Sequence, residues 1–317
     1  MKPMNHLKSI FLASALISGI SITAHAEINV VSSVKPLHSL VSGVMEGVAR
    51  PYLIVKGSAS PHTYSLRPSQ ARQLEDADLV FWMGHELESF LEQPLEAIAT
   101  KGHIVELIDS SKLKKIKMRE GGMFDAHAHD DHDEHEGHDD HGHGEFDVHV
   151  WLDPENAKVL VDEIKLALIE LDPVNSSKYE SNSNKMNMKL DQLIDEVSNK
   201  LESDKGKGYV VFHDAYQYFE QRFGMSAVGS ITVSPEVVPG ANRIRELKNK
   251  INELNAHCVF SEPQFEPKLV STVIEGTQAN TGVLDPLGAS IKDGPELYFT
   301  LIRNMADSLH ECLSKKD

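Results

Sequence analysis

The sequence predicts an α/β protein of two lobes, each a parallel sheet flanked by helices, joined by one long rigid helix. Short runs rich in Val, Ile and Phe alternate with amphipathic stretches, a pattern typical of βαβ units. This alternation occurs twice, once on each side of a long helical stretch. A chain of 317 residues also exceeds the size of most single cores, which favours two domains.

The first 26 residues have the composition of a secretory signal peptide. Lys2 and Lys8 precede a short apolar run, and the sequence Ala-His-Ala, typical of a cleavage site, ends at Ala26. Because the apolar run is too short to span a hydrocarbon core of about 30 Å, we expect cleavage near Ala26 and not a membrane anchor. No cysteine lies near this site for lipid attachment, which favours a soluble periplasmic protein.

Residues 27–172 are predicted to form the N-terminal lobe. Asp153 and Pro154 favour a helix start, as N-cap and first helical residue. Since ligands bind at the carboxyl ends of parallel strands, the Gly/Ser loop that carries His62 after the second strand is a candidate site. The expected strands lie near residues 28–33, 52–55, 78–83 and 103–107, and the expected helices near 36–46, 69–74, 87–99 and 154–171.

Residues 173–204 are predicted to form the connecting helix, and residues 205–317 the C-terminal lobe. Apolar residues recur at helical spacing from Leu190 to Leu201, and a Lys-Gly-Lys-Gly sequence then ends the pattern. The second lobe repeats the architecture of the first. Its strands are expected near 209–213, 227–231 and 257–261, with a closing segment at 282–285, and its helices near 216–223, 242–255, 267–279 and 294–312.

A histidine-rich tract lies in the N-terminal lobe, within a loop at residues 120–145 that we expect to be disordered. Imidazole is the commonest protein ligand for transition metals, so this composition indicates metal binding. An affinity tag or a solvated polar loop is the alternative, and the internal position among carboxylates disfavours a tag. The formal net charge of −17 suits a cationic ligand and disfavours nucleic acid. The tract contains His127, His129, His132, His135, His138, His141 and His143.

Three other histidines share a context that the tract histidines lack. His62 follows a strand and a Gly/Ser loop, His149 lies among β-forming residues before a helix start, and His213 ends a strand. A single histidine of this kind is more often structural, but three in one context predict a zinc site with Zn–N distances of about 2.0–2.1 Å. His85 follows the strand expected at 78–83 and lies at the same edge of the sheet as His62, and a structural role is favoured for it. Asp214 is a candidate to orient an imidazole.

Five motifs resemble those of the ZnuA-type zinc-binding proteins of bacterial ABC importers, and the resemblance runs from about Val30 to the C-terminus. The motifs are PHTYSLRP at 61–68, VHVWLDP at 148–154, VFHDAY at 211–216, SEPQF at 261–265 and LDPLG at 284–288. The resemblance implies two α/β lobes with the metal in the cleft between them.

The same resemblance implies His62, His149 and His213 as metal ligands. Manganese-binding relatives carry Glu where His213 stands, and imidazole favours zinc where carboxylate favours manganese. Asp285 matches the aspartate that completes the site in several relatives. Other relatives use an acidic residue just before the first histidine, where this chain has Pro61, whose side chain cannot ligate. Asp285 is therefore expected at or near the fourth position, with water as the alternative.

The two cysteines, Cys258 and Cys312, are expected to be bridged in an oxidising compartment, with two buried thiols as the alternative. The spacing of the pair is not that of a metal motif. The family resemblance implies that the two form a disulfide.

The resemblance implies a periplasmic receptor whose transported ligand is Zn²⁺, delivered to an inner-membrane ABC permease and its cytoplasmic ATPase. Periplasmic zinc chaperones are further expected partners, and in the family the His/Asp loop contributes auxiliary metal binding. A zinc buffer or a metal-regulated adhesin is the alternative. A zinc hydrolase is a less favoured alternative because the chain lacks the H-E-x-x-H motif. We therefore expect a binding protein and not an enzyme.

Overall fold

The chain folds into two four-stranded parallel sheets with helices packed against them, which confirms the predicted α/β class. The predicted signal peptide and the histidine-rich tract lie outside the described residues. The computed structural model describes residues 28–119, 124, 146–232, 240–253, 256–265 and 268–315.

The first sheet has the strand order β2-β1-β3-β4. Its strands are β1 (Val30–Ser32), β2 (Tyr52–Leu53), β3 (Leu79–Trp82) and β4 (His103–Glu106), and its helices are α1 (Lys35–Val44), α2 (Pro68–Glu75) and α3 (Ser89–Ala97). All four residues of β3 are buried, as expected for a central parallel strand covered on both faces. The carboxyl ends of β1, β2 and β3 lie at one edge of the sheet, where the following loops begin.

The second sheet has the strand order β6-β5-β7-β8. Its strands are β5 (Tyr209–His213), β6 (Ala227–Thr232), β7 (Cys258–Ser261) and β8 (Asn280–Val283), and its helices are α6 (Gln217–Phe223), α7 (Ala241–Glu253), α8 (Lys268–Ile274) and α9 (Leu297–Leu313). β5 is central and fully buried, and His213 is its last residue. This sheet therefore presents His213 at its carboxyl edge.

Two long helices connect the sheets: α4 (Pro154–Leu171) and the 26-residue α5 (Ser176–Leu201). Asp153 caps α4 by accepting a hydrogen bond from the Glu155 N–H at 2.9 Å, which confirms the predicted helix start. α5 packs on α4, α9 and α1, and one apolar core cluster contains residues of both sheets. The predicted lobe boundaries at 172 and 204 remain predictions, because the packing is continuous across them.

Several predicted elements are shorter in the structure, β2 and α8 among them. β2 ends at Leu53, although the next two residues still donate backbone hydrogen bonds to Ser32 and Ser33. α8 ends at Ile274, and Gly276 follows in the left-handed conformation (φ 81°) that ends helices. After β2 the apolar residues Ile54 and Val55 continue beyond the regular strand, whereas the residues after α8 are mostly polar.

A disulfide joins Cys258 in β7 to Cys312 in α9, with a Cα–Cα distance of 6.2 Å. The disulfide implied by the family resemblance is thus confirmed. The loop it closes spans 54 residues, so the bond ties the final helix to the second sheet. In the described part of the chain, no helix has the length and apolar character needed to cross a membrane.

Glu88 is a fully buried carboxyl at the carboxyl edge of the first sheet. It accepts hydrogen bonds from the N–H groups of Met83 and Gly84, at 2.8 and 3.0 Å, and from the Ser33 hydroxyl. Burial raises the pKa of Glu88 to about 7, although these hydrogen bonds act to lower it. Because the folded chain binds this proton more tightly than the unfolded chain, the free energy of unfolding should decrease as pH rises from about 4.5 to 7.

Replacing Glu88 with glutamine is expected to flatten this pH dependence. Glutamine keeps an acceptor for the two N–H groups, and its amide can donate to the Ser33 hydroxyl. Between pH 4.5 and 8, the free energy of unfolding of the native protein should fall by about 3 kcal/mol relative to that of Glu88→Gln. Urea unfolding across this pH range measures it, with Glu92→Gln, an exposed residue of α3, as control. Parallel curves for the native protein and Glu88→Gln would contradict the prediction.

Candidate metal centre

His62, His149 and His213 converge on one cleft between the two sheets. One ring nitrogen from each lies within 4.8 Å of the other two, and the Nε2 atoms of His149 and His213 are 3.4 Å apart. His149 is 7% exposed and His213 is 4% exposed, while His62 is half-buried. The structure therefore brings together the three histidines that the sequence grouped by context.

Each histidine is positioned by a different piece of backbone. His62 lies in a 3₁₀ turn, Pro61–Thr63, in the loop after β2. His149 precedes a second 3₁₀ turn, Val150–Leu152, so the β-forming residues around it do not form a strand. All three side chains of that turn are buried, and the Trp151 indole donates to the carbonyl of Pro286 at 2.9 Å. Packing of this apolar turn fixes the backbone of His149.

Buried carboxylates orient two of the three imidazoles. Asp147 Oδ1 lies 2.7 Å from His149 Nδ1, and Glu262 Oε1 lies 2.7 Å from His213 Nδ1. Each carboxylate also accepts a hydrogen bond from the backbone N–H of the same histidine. A hydrogen bond of this kind places the proton on Nδ1, so that the Nε2 lone pair faces the cleft. Both rings are thus held ready to ligate.

The protonation of the rings follows from burial and from these partners. Burial, together with the neighbouring imidazoles, lowers the pKa of His62 to about 2 and that of His149 to about 3. Both rings are therefore neutral at neutral pH, the form that binds metals. Burial also opposes protonation of His213, but Glu262, Asp147 and Asp214 together outweigh it, and the pKa of His213 is raised.

Asp285 lies beside the cleft and outside the group of three histidines. Its Oδ1 accepts hydrogen bonds from the Gln264 amide at 2.9 Å and from two backbone N–H groups, and its Oδ2 accepts one from the Ala289 N–H at 2.6 Å. Asp285 thus caps the turn after β8 and holds Gln264, which lines the cleft. Its role as a fourth ligand remains a prediction.

The prediction that Asp214 orients an imidazole is wrong. Its carboxylate pairs with the Arg119 guanidinium at 3.0 and 3.1 Å, and Arg119 also donates to Glu220 at 2.8 Å. Asp214 follows His213 directly, so its side chain leaves the backbone in another direction. His85 lies 4.0 Å from Glu106 and outside the group of three, in line with a structural role.

Asp147 and Glu262 are the functional residues that the sequence reasoning missed. Asp147 lies two residues before His149, a spacing that places two side chains on one face of an extended segment. That signal was available in the sequence. Glu262 is 49 residues away from His213, and only the pairing of β5 with β7 brings it close. Its position in the SEPQF motif was the one sequence signal for it.

Comparison with known proteins points to one family. A family model described as "Zinc-uptake complex component A periplasmic" matches residues 30–312. The "High-affinity zinc uptake system protein ZnuA" of Brucella suis is 52% identical and covers 98% of this chain and 100% of its own length.

Two solved structures share the fold. The periplasmic zinc binding protein TroA from Treponema pallidum has a TM-score of 0.76 at 20% identity, covering 92% of this chain and 100% of that one. The laminin binding protein Lmb of Streptococcus agalactiae has a TM-score of 0.73 at 24% identity, covering 90% and 99%. Both show the architecture described above. Given the family model and the near full-length identity to the Brucella protein, the chain belongs to the ZnuA family of periplasmic zinc-uptake components.

Proposed function

We propose that this chain is a periplasmic zinc receptor that delivers Zn²⁺ to an inner-membrane ABC permease and its cytoplasmic ATPase. The observation that carries the proposal is the convergence of three histidines in one cleft, two of them backed by buried carboxylates. The name of the Brucella relative, a high-affinity zinc uptake protein, supports the same role. Periplasmic zinc chaperones are further proposed partners, and the leader is proposed to be cleaved near Ala26.

In this proposal His62, His149 and His213 supply three nitrogen ligands. A divalent ion in a buried cleft is stable only where its charge is balanced, and Asp147 and Glu262 supply two carboxylates directly behind the ligating rings. The two positive charges of the ion and the negative charges of the two carboxylates nearly cancel. Metal binding therefore also explains why two carboxylates are buried here.

We propose water at the fourth position in place of Asp285, the ligand that the sequence favoured. Both oxygens of Asp285 already accept hydrogen bonds, four in total, and ligation would weaken them. Water that remains exchangeable also suits a receptor, because a cargo ion has to leave. A zinc-bound water would also serve a hydrolase, so the purified protein should be assayed for zinc-dependent ester and peptide hydrolysis. Turnover would overturn the assignment as a binding protein.

The seven tract histidines are proposed to capture zinc weakly and pass it to the cleft. The low-complexity composition of the tract predicts that it loses conformational freedom each time it chelates, so its sites should be weaker than a preformed site. Replacing residues 125–144 with a Gly/Ser linker of equal length should lower the zinc stoichiometry and leave the tightest dissociation constant unchanged. Calorimetry with a competing chelator measures both quantities. Loss of the tightest site would contradict this division of roles.

Growth under zinc chelation tests the importer role. A strain that lacks this gene should grow poorly in the presence of a zinc chelator, and added zinc or the native gene should restore growth. The His149→Ala gene should not restore it. Normal growth of the deletion strain would reject the importer role and favour a zinc buffer or an adhesin, the class to which the Streptococcus protein of the same fold belongs by its name.

A further inference from the structure

His62 is held differently from the other two histidines. His149 and His213 each have a buried carboxylate on Nδ1, whereas no described residue forms a hydrogen bond with the His62 ring. Its contacts in the cleft are with the other two imidazoles, whose centroids lie 5.6 and 5.9 Å away. The position of the His62 ring is therefore set by its backbone.

The first part of the loop before His62 is exposed. The loop leaves β2 through Lys56, Gly57 and Ser58, all on the surface. Gly57 is left-handed (φ 68°), and a Cβ added there would meet no atom within 4 Å. This side of the loop has little packing to fix it. Ser60 and Pro61, which are buried, come next, and the rest of the restraint on His62 has to come from the residues that follow it.

Gln70 in α2 supplies that restraint. Its side chain is buried, at 4% exposure, and its Nε2 donates to the carbonyl of Ile54 at 2.7 Å and to the Tyr64 hydroxyl at 2.9 Å. Its Oε1 accepts a hydrogen bond from the Arg67 N–H at 2.8 Å. One amide therefore joins the end of β2, before the loop, to two points after His62.

Tyr64 continues this connection into the first lobe. It follows His62 by two residues, and its ring packs on Phe90 with the centroids 5.0 Å apart. A primary amide offers two donors and an acceptor in one plane, which matches the three partners of Gln70. Neither leucine, which has no polar group, nor glutamate, which lacks the donors, could replace it.

We propose that Gln70 is a positioning residue that controls the rate of zinc release by holding His62 over the cleft. This proposal rests on the proposed function, because it requires zinc to be bound by the three histidines. In it, His149 and His213 form the fixed half of the site and His62 the movable half. Zinc leaves when the His62 loop opens, and the Gln70 hydrogen bonds resist that opening.

Stopped-flow transfer of zinc to a chromophoric chelator tests the proposal. Gln70→Leu should raise the zinc dissociation rate about tenfold or more, since three hydrogen bonds are lost, and should change the association rate far less. Gln73→Leu, an exposed position on the same helix, should release zinc at the native rate. Tyr64→Phe removes the hydroxyl contacts with Gln70 and Ile54 and keeps the ring, and a rise of about threefold is expected. If Gln70→Leu does not fold, the release rate of Tyr64→Phe decides the question. A native zinc release rate in whichever of these two variants is measured would overturn the proposal.

A variant that lacks His62 separates positioning from general destabilisation. In a His62→Ala protein, adding Gln70→Leu should not accelerate zinc release further, because the group that Gln70 positions is gone. An equal acceleration in both backgrounds would overturn the proposal. Failure of the proposed function is distinguishable, since it would appear as unchanged zinc affinity in His149→Ala, a residue without contact to Gln70.

Discussion

Replacing His149 with alanine is expected to lower zinc affinity by about a thousandfold or more, which corresponds to roughly 4 kcal/mol. The change removes one of three nitrogen ligands and leaves the buried carboxylate of Asp147 without its imidazole partner. The other two ligands cannot close around the ion, because His213 is fixed by Glu262. Competition with a chelator of known affinity measures the change.

The matched control for this variant is His103→Ala. His103 is exposed at the start of β4, at the opposite edge of the sheet from the cleft. Its replacement should leave zinc affinity at the native value. A circular dichroism spectrum identical to that of the native protein should accompany both variants. Zinc affinity of His149→Ala within tenfold of native would show that the ion is bound elsewhere.

Removing the Cys258–Cys312 disulfide is expected to reduce the free energy of unfolding by about 4 kcal/mol, the value that the chain-entropy model gives for a loop of this length. Both cysteines are buried, so a double alanine variant avoids placing hydroxyls in the core. Urea unfolding of this variant and of the native protein, with and without reductant, measures the effect. Reductant should destabilise the native protein and leave the alanine variant unchanged. Equal stability of the two proteins without reductant would contradict the prediction.

Local sequence signals predicted most of the secondary structure. Asp153 and Pro154 marked the start of α4 correctly because a helix cap depends on neighbouring residues alone. The three clustered histidines were predictable for a related reason. Parallel strands present their carboxyl ends at one edge, so residues that follow different strands meet there. His149 reached the same place through a 3₁₀ turn, which its β-forming neighbours did not indicate.

Contacts between distant parts of the chain were not predictable in the same way. Glu262 reaches His213 because β7 pairs with β5, and strand order is a property of the whole sheet. Asp214 looked suitable as a partner for an imidazole by position alone, yet a better partner, Arg119, comes from the other lobe. Likewise, the core cluster that contains residues of both sheets includes contacts between α5 and α9, which are far apart in the sequence. The helical spacing of apolar residues in the sequence does not indicate these contacts.

The central claim is that the bound metal is zinc. The type of ligand alone does not decide which metal is bound. Imidazole sites bind Cu²⁺ more tightly than Zn²⁺ in the usual order of affinities, so selectivity depends on geometry and on metal supply. The most direct measurement is anomalous diffraction above and below the zinc edge on protein purified with its native metal. We predict one strong peak among His62, His149 and His213 that appears only above the zinc edge. A peak that follows the edge of another metal, or that lies away from these three rings, would contradict the assignment.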